Sequence, residues 1–158
     1  MRTQRDVIAA DADEGVRAWA GLLQVHAALV PVLDRELQRA TGMSLAWYDV
    51  LLELNSAPER RLRMSELGAR AVLSRSRVSR LTDELVSAGL VEREADPADG
   101  RSSFAVLTAD GRRRLRAAAP VYLAGIEAHF SRHLRARERR VVADGLWRVL
   151  RDESAQPG

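Results

Sequence analysis

SELGARAVLSRSRVSRLTDELVSAGLVEREADPADGRSSFAVL, residues 65–107, is the stretch that decides the fold. Ser65 is placed to cap a short helix over 66–71 with Leu67 and Ala71 facing inward. After Val72-Leu73, Ser74 caps a second helix over 75–88, and Gly89 follows where a helix end wants a left-handed residue. Two short helices so closely spaced have helix-turn-helix spacing. Residues 90–94 and 103–107 are strand candidates. The segment 95–101 between them is dense in turn formers, which predicts a β-hairpin with that segment as its loop.

On a wheel of about 100° per residue, the helix after Ser74 gathers Val78, Leu81, Leu85 and Ala88 into one arc, the expected buried face. Ser76, Ser79, Arg80, Asp83 and Ser87 lie opposite, with Arg75 and Arg77 on the flanks. Small hydroxyls let a helix approach a duplex closely and bond phosphates or base edges; arginine offers guanine a two-pronged donor. Asp83, three residues beyond Arg80, is placed to hold that arginine in one direction or to support the helix. Arg101 at the hairpin tip suits a minor groove, whose width and negative potential attract guanidinium. Asp99 either steadies Arg101 or serves the turn alone.

The charge pattern agrees. Residues 1–59 carry 5 Arg and 9 acids, net −4; residues 60–116 carry 13 Arg and 8 acids, net +5. Residues 117–158 carry 7 Arg and 5 acids, net +2. Between 60 and 82 stand 7 Arg against the single acid Glu66. A basic block between less basic flanks is the footprint of a nucleic-acid binder.

Outward from this centre, Ser44 is a plausible cap for a nearly buried helix over 45–56. Residues 62–64 read as a very short extended piece. A long helix over 13–40 carries Val16, Trp19, Ala20, Leu23, Ala27, Val30 and Leu37, with Leu22, Leu29, Val32 and Leu33 widening the stripe beyond one contact. Pro31 predicts a kink in it, and Thr41-Gly42 closes it. Thr108 caps a helix over 109–133 that Pro120 should bend. A last helix over 136–151 has Val142, Leu146, Val149 and Leu150 on one stripe, and 153–158 reads as a frayed tail. The expected fold is mainly α with a small β-hairpin wing. A winged helix-turn-helix over 44–108 is flanked by dimerisation helices over 13–40 and 109–151, all in a single domain, 1–158.

Composition removes most chemistry. The 158 residues include 0 Cys, so disulfides, thiolate metal sites and cysteine nucleophiles are out. No lysine occurs either, which excludes the P-loop lysine, the Ser-x-x-Lys pair and Schiff-base chemistry. No nucleophile–base pair or metal triad can be assembled, so no enzymatic activity, cofactor or metal is expected. His129 and His133 stand four apart on one expected helix, a metal-binding spacing that lacks a third ligand. No apolar stretch is read as reaching the ~20 residues a membrane helix needs. Residues 1–6 show no secretory signal, so a cytoplasmic protein without membrane contact is expected.

The chain resembles the MarR family of bacterial winged-helix regulators. The likeness is carried by Ser65-Glu66-Leu67-Gly68, Leu73-Ser74-Arg75-Ser76-Arg77-Val78-Ser79-Arg80-Leu81 and Ala88-Gly89-Leu90-Val91. It continues in Asp96-Pro97-Ala98-Asp99-Gly100-Arg101 and Leu107-Thr108-Ala109-Asp110-Gly111. The resemblance implies an obligate homodimer, its first and last two helices interlocked, with two winged helices on a palindromic site in double-stranded DNA. It implies a ligand-responsive repressor. By position, Ser74, Arg75, Ser76, Arg77, Ser79 and Arg80 would face the duplex, with Arg101 as the wing contact and Asp99 counted beside it in either of its two roles. Family members respond to small, frequently aromatic anions. Trp19, His26, Trp47 and Tyr48 are the candidate residues for such an aromatic acid, ordinary core aromatics being the plainer reading. A winged-helix module for protein–protein assembly is the alternative. The Ser/Arg face speaks against it, because such a surface carries aromatic or aliphatic anchors.

Overall fold

In the computed structural model, which describes residues 13–154, the elements run α1 (Glu14–Thr41), α2 (Leu45–Ser56), a 3-10 turn (Pro58–Arg60) and β1 (Arg61–Arg63). They continue through α3 (Met64–Arg70), α4 (Arg75–Ser87), β2 (Val91–Asp96), β3 (Asp99–Leu107), α5 (Ala109–His129), a second 3-10 turn (Ser131–His133) and α6 (Ala136–Ser154). Residues 1–6, read above for a targeting signal, lie outside the described residues; so does 155–158 of the expected tail, whereas α6 runs on through Ser154.

These residues form two compact units, Val30–Tyr122 and the pair of segments 13–29 and 123–154. The first unit holds the core: Leu37, Met43, Val50, Leu51, Leu54, Leu67 and Leu85 are completely buried. Ser44 caps α2, its hydroxyl accepting the Trp47 N–H at 3.2 Å. At the mouth of α3 the expected cap is corrected. Met64 is already helical and Arg63 is the N-cap, because the Glu66 carboxylate reaches back to accept the Arg63 N–H at 3.1 Å. Helix α3 ends in a 6→1 bond, the Leu73 N–H to the Gly68 carbonyl at 2.8 Å, with Val72 left-handed at φ 53°. Helix α4 ends the same way on Gly89 at φ 73°, the residue type that conformation favours.

The wing exceeds the hairpin expected. β1, β3 and β2 make a three-stranded antiparallel sheet in that order. Pairing runs out to Asp96↔Asp99, so the loop shrinks to Pro97-Ala98. Asp96 causes this: its carboxylate accepts the Ala98 N–H at 2.9 Å and the Arg63 Nε–H at 2.9 Å, which ties the turn to the sheet. Those bonds hold its carboxyl below the usual carboxylate range. Thr108 caps α5 through Gly111 N–H at 2.9 Å and also donates to the Gly89 carbonyl at 2.9 Å.

In the second unit, 13–29 and 123–151 contribute no buried hydrophobic side chain among the described residues. Trp19, Leu123, Val141, Trp147 and Val149 are all at least 60% exposed. Helix α5 stops at His129, and His133 falls in the 3-10 turn. The two histidines therefore do not share a helix, and no group of three or more potential metal ligands occurs among the described residues. Helix α1 is helical through Pro31. Contrary to the sequence expectation, α1 is long and apolar enough, by length and composition, to cross a bilayer. Gln24 and His26 break its apolar run, but averaged along the helix the composition stays apolar.

Candidate nucleic-acid interface

Helix α4 begins where Ser74 accepts the Arg77 N–H at 3.3 Å and shares a hydrogen bond with the Ser76 hydroxyl at 3.3 Å. Its inner face is Val78, Leu81 and Leu85, as the wheel gave, but Ala88 is exposed. Thr82 is buried in its place, its hydroxyl without a partner among the described residues. On the outer face Ser74, Arg75, Ser76, Arg77 and Arg80 are exposed. Ser79 is half-buried, because a strand covers it.

That strand supplies a residue that sequence reasoning missed. Arg93 of β2 sends Nη2 to Asp83 Oδ1 at 2.9 Å, to the Ser79 carbonyl at 3.3 Å and to Ser79 Oγ at 3.3 Å. Its other nitrogen meets Ser103 Oγ of β3 at 3.5 Å. Asp83 therefore pairs with Arg93, not with Arg80: the wing brings a guanidinium closer than the neighbouring turn of its own helix does. The signal was present in the strand period. Val91 faces the core, and Arg93, two residues on, shares its face. Asp99 serves the turn, accepting the Arg101 N–H at 3.0 Å and leaving the Arg101 side chain free.

Some arginines of the sheet and of α5 are paired, and those on the outer face of α4 are not. Arg61 pairs with Glu94 at 3.2 Å and lies over the Phe104 ring at 4.0 Å. Arg63 pairs with Asp96, Arg93 with Asp83 and Arg113 with Asp110. Arg75, Arg77, Arg80 and Arg101 have no side-chain partner among the described residues. Arg75 and Arg101 line one groove of about 640 Å³ between α3, α4 and the hairpin. Arg77 lines a different one, about 480 Å³, with Asp34 and Asp49. Desolvation, with the Glu53 charge added, pushes Asp49 up to about 6.

The four aromatic-acid candidates do not assemble in the same way. Trp19 is 61% exposed and His26 is exposed, both in the second unit, whereas Trp47 and Tyr48 belong to the first. Trp47 donates its indole N–H to Glu84 Oε2 of α4 at 3.0 Å and lines a cleft of about 530 Å³ with Leu90, Arg113 and Arg114. Tyr48 is buried against Tyr122, ring centroids 4.8 Å apart, an ordinary core role.

A helix-turn-helix backed by a three-stranded wing is the winged-helix class, and comparison with known proteins gives the family. The model of the MarR family matches residues 41–102. Sco3205 of Streptomyces coelicolor, a MarR family transcriptional regulator solved in complex with DNA, is 33% identical over 93% of this chain and 91% of its own, with a TM-score of 0.80. AbsC of the same organism is 30% identical over 92% and 97% of the two chains, TM-score 0.78. Sco5413, also from Streptomyces coelicolor, is 25% identical over 90% and 96%, TM-score 0.72. No curated protein matches the chain by sequence. The chain belongs to the MarR family of transcriptional regulators.

Proposed function

We propose that this protein is a cytoplasmic, non-enzymatic repressor that binds double-stranded DNA as a homodimer at a palindromic operator. The observation that carries the reading is one exposed basic face: Arg75, Arg77 and Arg80 on α4 and Arg101 on β3 are exposed and have no carboxylate partner among the described residues, whereas Arg61, Arg63 and Arg93 of the sheet are paired. Unpaired guanidinium groups on one exposed helix and near the start of β3 suit phosphates and base edges. In this reading residues 44–108 are the DNA-binding region. Ser74, Ser76 and Ser79 allow close approach, and Asp99 shapes the turn that presents Arg101. The segments 13–40 and 109–151 dimerise. A bound dimer blocks the promoter, and an effector shifts the half-site spacing away from the operator. That a relative sharing 33% of its sequence was solved with DNA supports the reading.

The effector in this reading is a small aromatic acid contacting Trp47, with Trp19, His26 and Tyr48 as the other candidate residues. A thermal shift by such an acid that survives replacement of Trp47 and Trp19 places its site elsewhere. For DNA binding itself, selection from a random duplex pool is the test. Enrichment of an inverted repeat with half-sites about one helical turn apart is expected. Failure to enrich any duplex leaves the protein–protein alternative in its place.

A further inference from the structure

We propose that Arg93 is a positioning residue: it latches the wing to α4, fixing the distance between the two DNA-contacting elements, and touches no DNA itself. The inference rests on the DNA-binding reading above. One guanidinium spans a carbonyl, a hydroxyl and a carboxylate on α4 while its other nitrogen reaches Ser103 on β3. It therefore joins α4 to both strands of the hairpin. The pair is too exposed to be there for stability, Arg93 being 32% and Asp83 65% exposed, and pairs of that kind add little to folding. A planar fork held at several points instead fixes orientation. The bond to Asp83 has a second effect. Two carboxylates of α4 lie within reach of Arg80 along the helix: Asp83 is taken by Arg93, and Glu84 accepts the Trp47 indole N–H, so both are engaged elsewhere.

Two experiments test the latch. The chain has 0 Cys, so cysteines placed at Val86 and Gly100 are the only spin-labelling sites. Val86 is exposed near the end of α4, and an added Cβ at Gly100 meets nothing within 4 Å. In labelled protein diluted with unlabelled protein, one narrow distance distribution is expected. Arg93→Gln and Asp83→Asn should each broaden it, and an unchanged distribution in both overturns the proposal. On a selected duplex, each substitution is expected to lower affinity about tenfold. The double variant should lose no more than either alone, since both remove the same link. The slope of affinity against salt should match that of the parent, because no phosphate contact is lost. A slope reduced by about one unit in Arg93→Gln, with Asp83→Asn binding normally, makes Arg93 a direct phosphate contact and overturns the proposal. If the parent protein selects no duplex, the DNA-binding reading fails, and the spin-label distances still decide whether the latch exists.

Discussion

Gly111 shows how a single hydrogen atom can be a structural requirement. An added Cβ there would overlap the Leu90 carbonyl oxygen and come within 2.7 Å of Leu107 Cδ1. Leu90 is where the chain leaves α4, so Gly111 lets the start of α5 close on it. Gly111→Ala should destabilise the protein by about 1–3 kcal/mol in urea unfolding, as overpacking against backbone does. Asp96 makes the complementary case for a charge. Its carboxyl titrates below the ordinary range because the Ala98 N–H and Arg63 bind the ionised form. Folding therefore favours the carboxylate. The stability it contributes is present above the unfolded aspartate value of about 3.9 and is lost as pH falls through that value to the lower folded one. Unfolding measured from pH 5 down to about pH 2 should show a steeper loss in the parent than in Asp96→Asn. Equal slopes would mean that the turn does not use the charge.

At the scale of elements, helix and wing should fail differently. Arg80→Ala and Arg77→Ala are expected to cost about 1–3 kcal/mol on a selected duplex and to relax base preference locally. Arg101→Ala should weaken selected and scrambled DNA by similar factors and flatten the salt dependence by about one unit. Binding curves at several salt concentrations separate the two patterns. The helices were legible in the sequence because their punctuation is local: Ser44, Ser74 and Thr108 cap as expected, and Gly89 takes the left-handed position. The wing was legible as a hairpin but not at its true length. Val-Glu-Arg-Glu-Ala-Asp lacks a simple apolar alternation, and its last pairings depend on Asp96 binding a residue from β1, which no window along the chain contains. The same limit hid the Arg93–Asp83 pair. Local spacing assigned Asp83 to Arg80, whereas the partner arrives from a strand ten residues further along.

For the whole molecule, the two units differ in how they are filled. The buried hydrophobic side chains fall between Leu33 and Ala118, whereas Trp19, Trp147 and Leu150 beyond those limits are more than half exposed. That contrast is what the dimer proposal explains, with a second copy covering those faces. Trp147→Glu combined with Leu150→Glu should convert the protein to a monomer by sedimentation at micromolar concentration, and should weaken operator binding through loss of the second half-site. An unaltered sedimentation coefficient would assign these faces to another partner. Helix α1 carries a further consequence. A 28-residue helix apolar enough for a bilayer is 6% buried over its most apolar window. A chain that covers such a helix by self-association draws its heat resistance from mass action, so the melting temperature should climb with protein concentration. Diluted below its dissociation constant, the protein should unfold at a lower temperature than in concentrated solution.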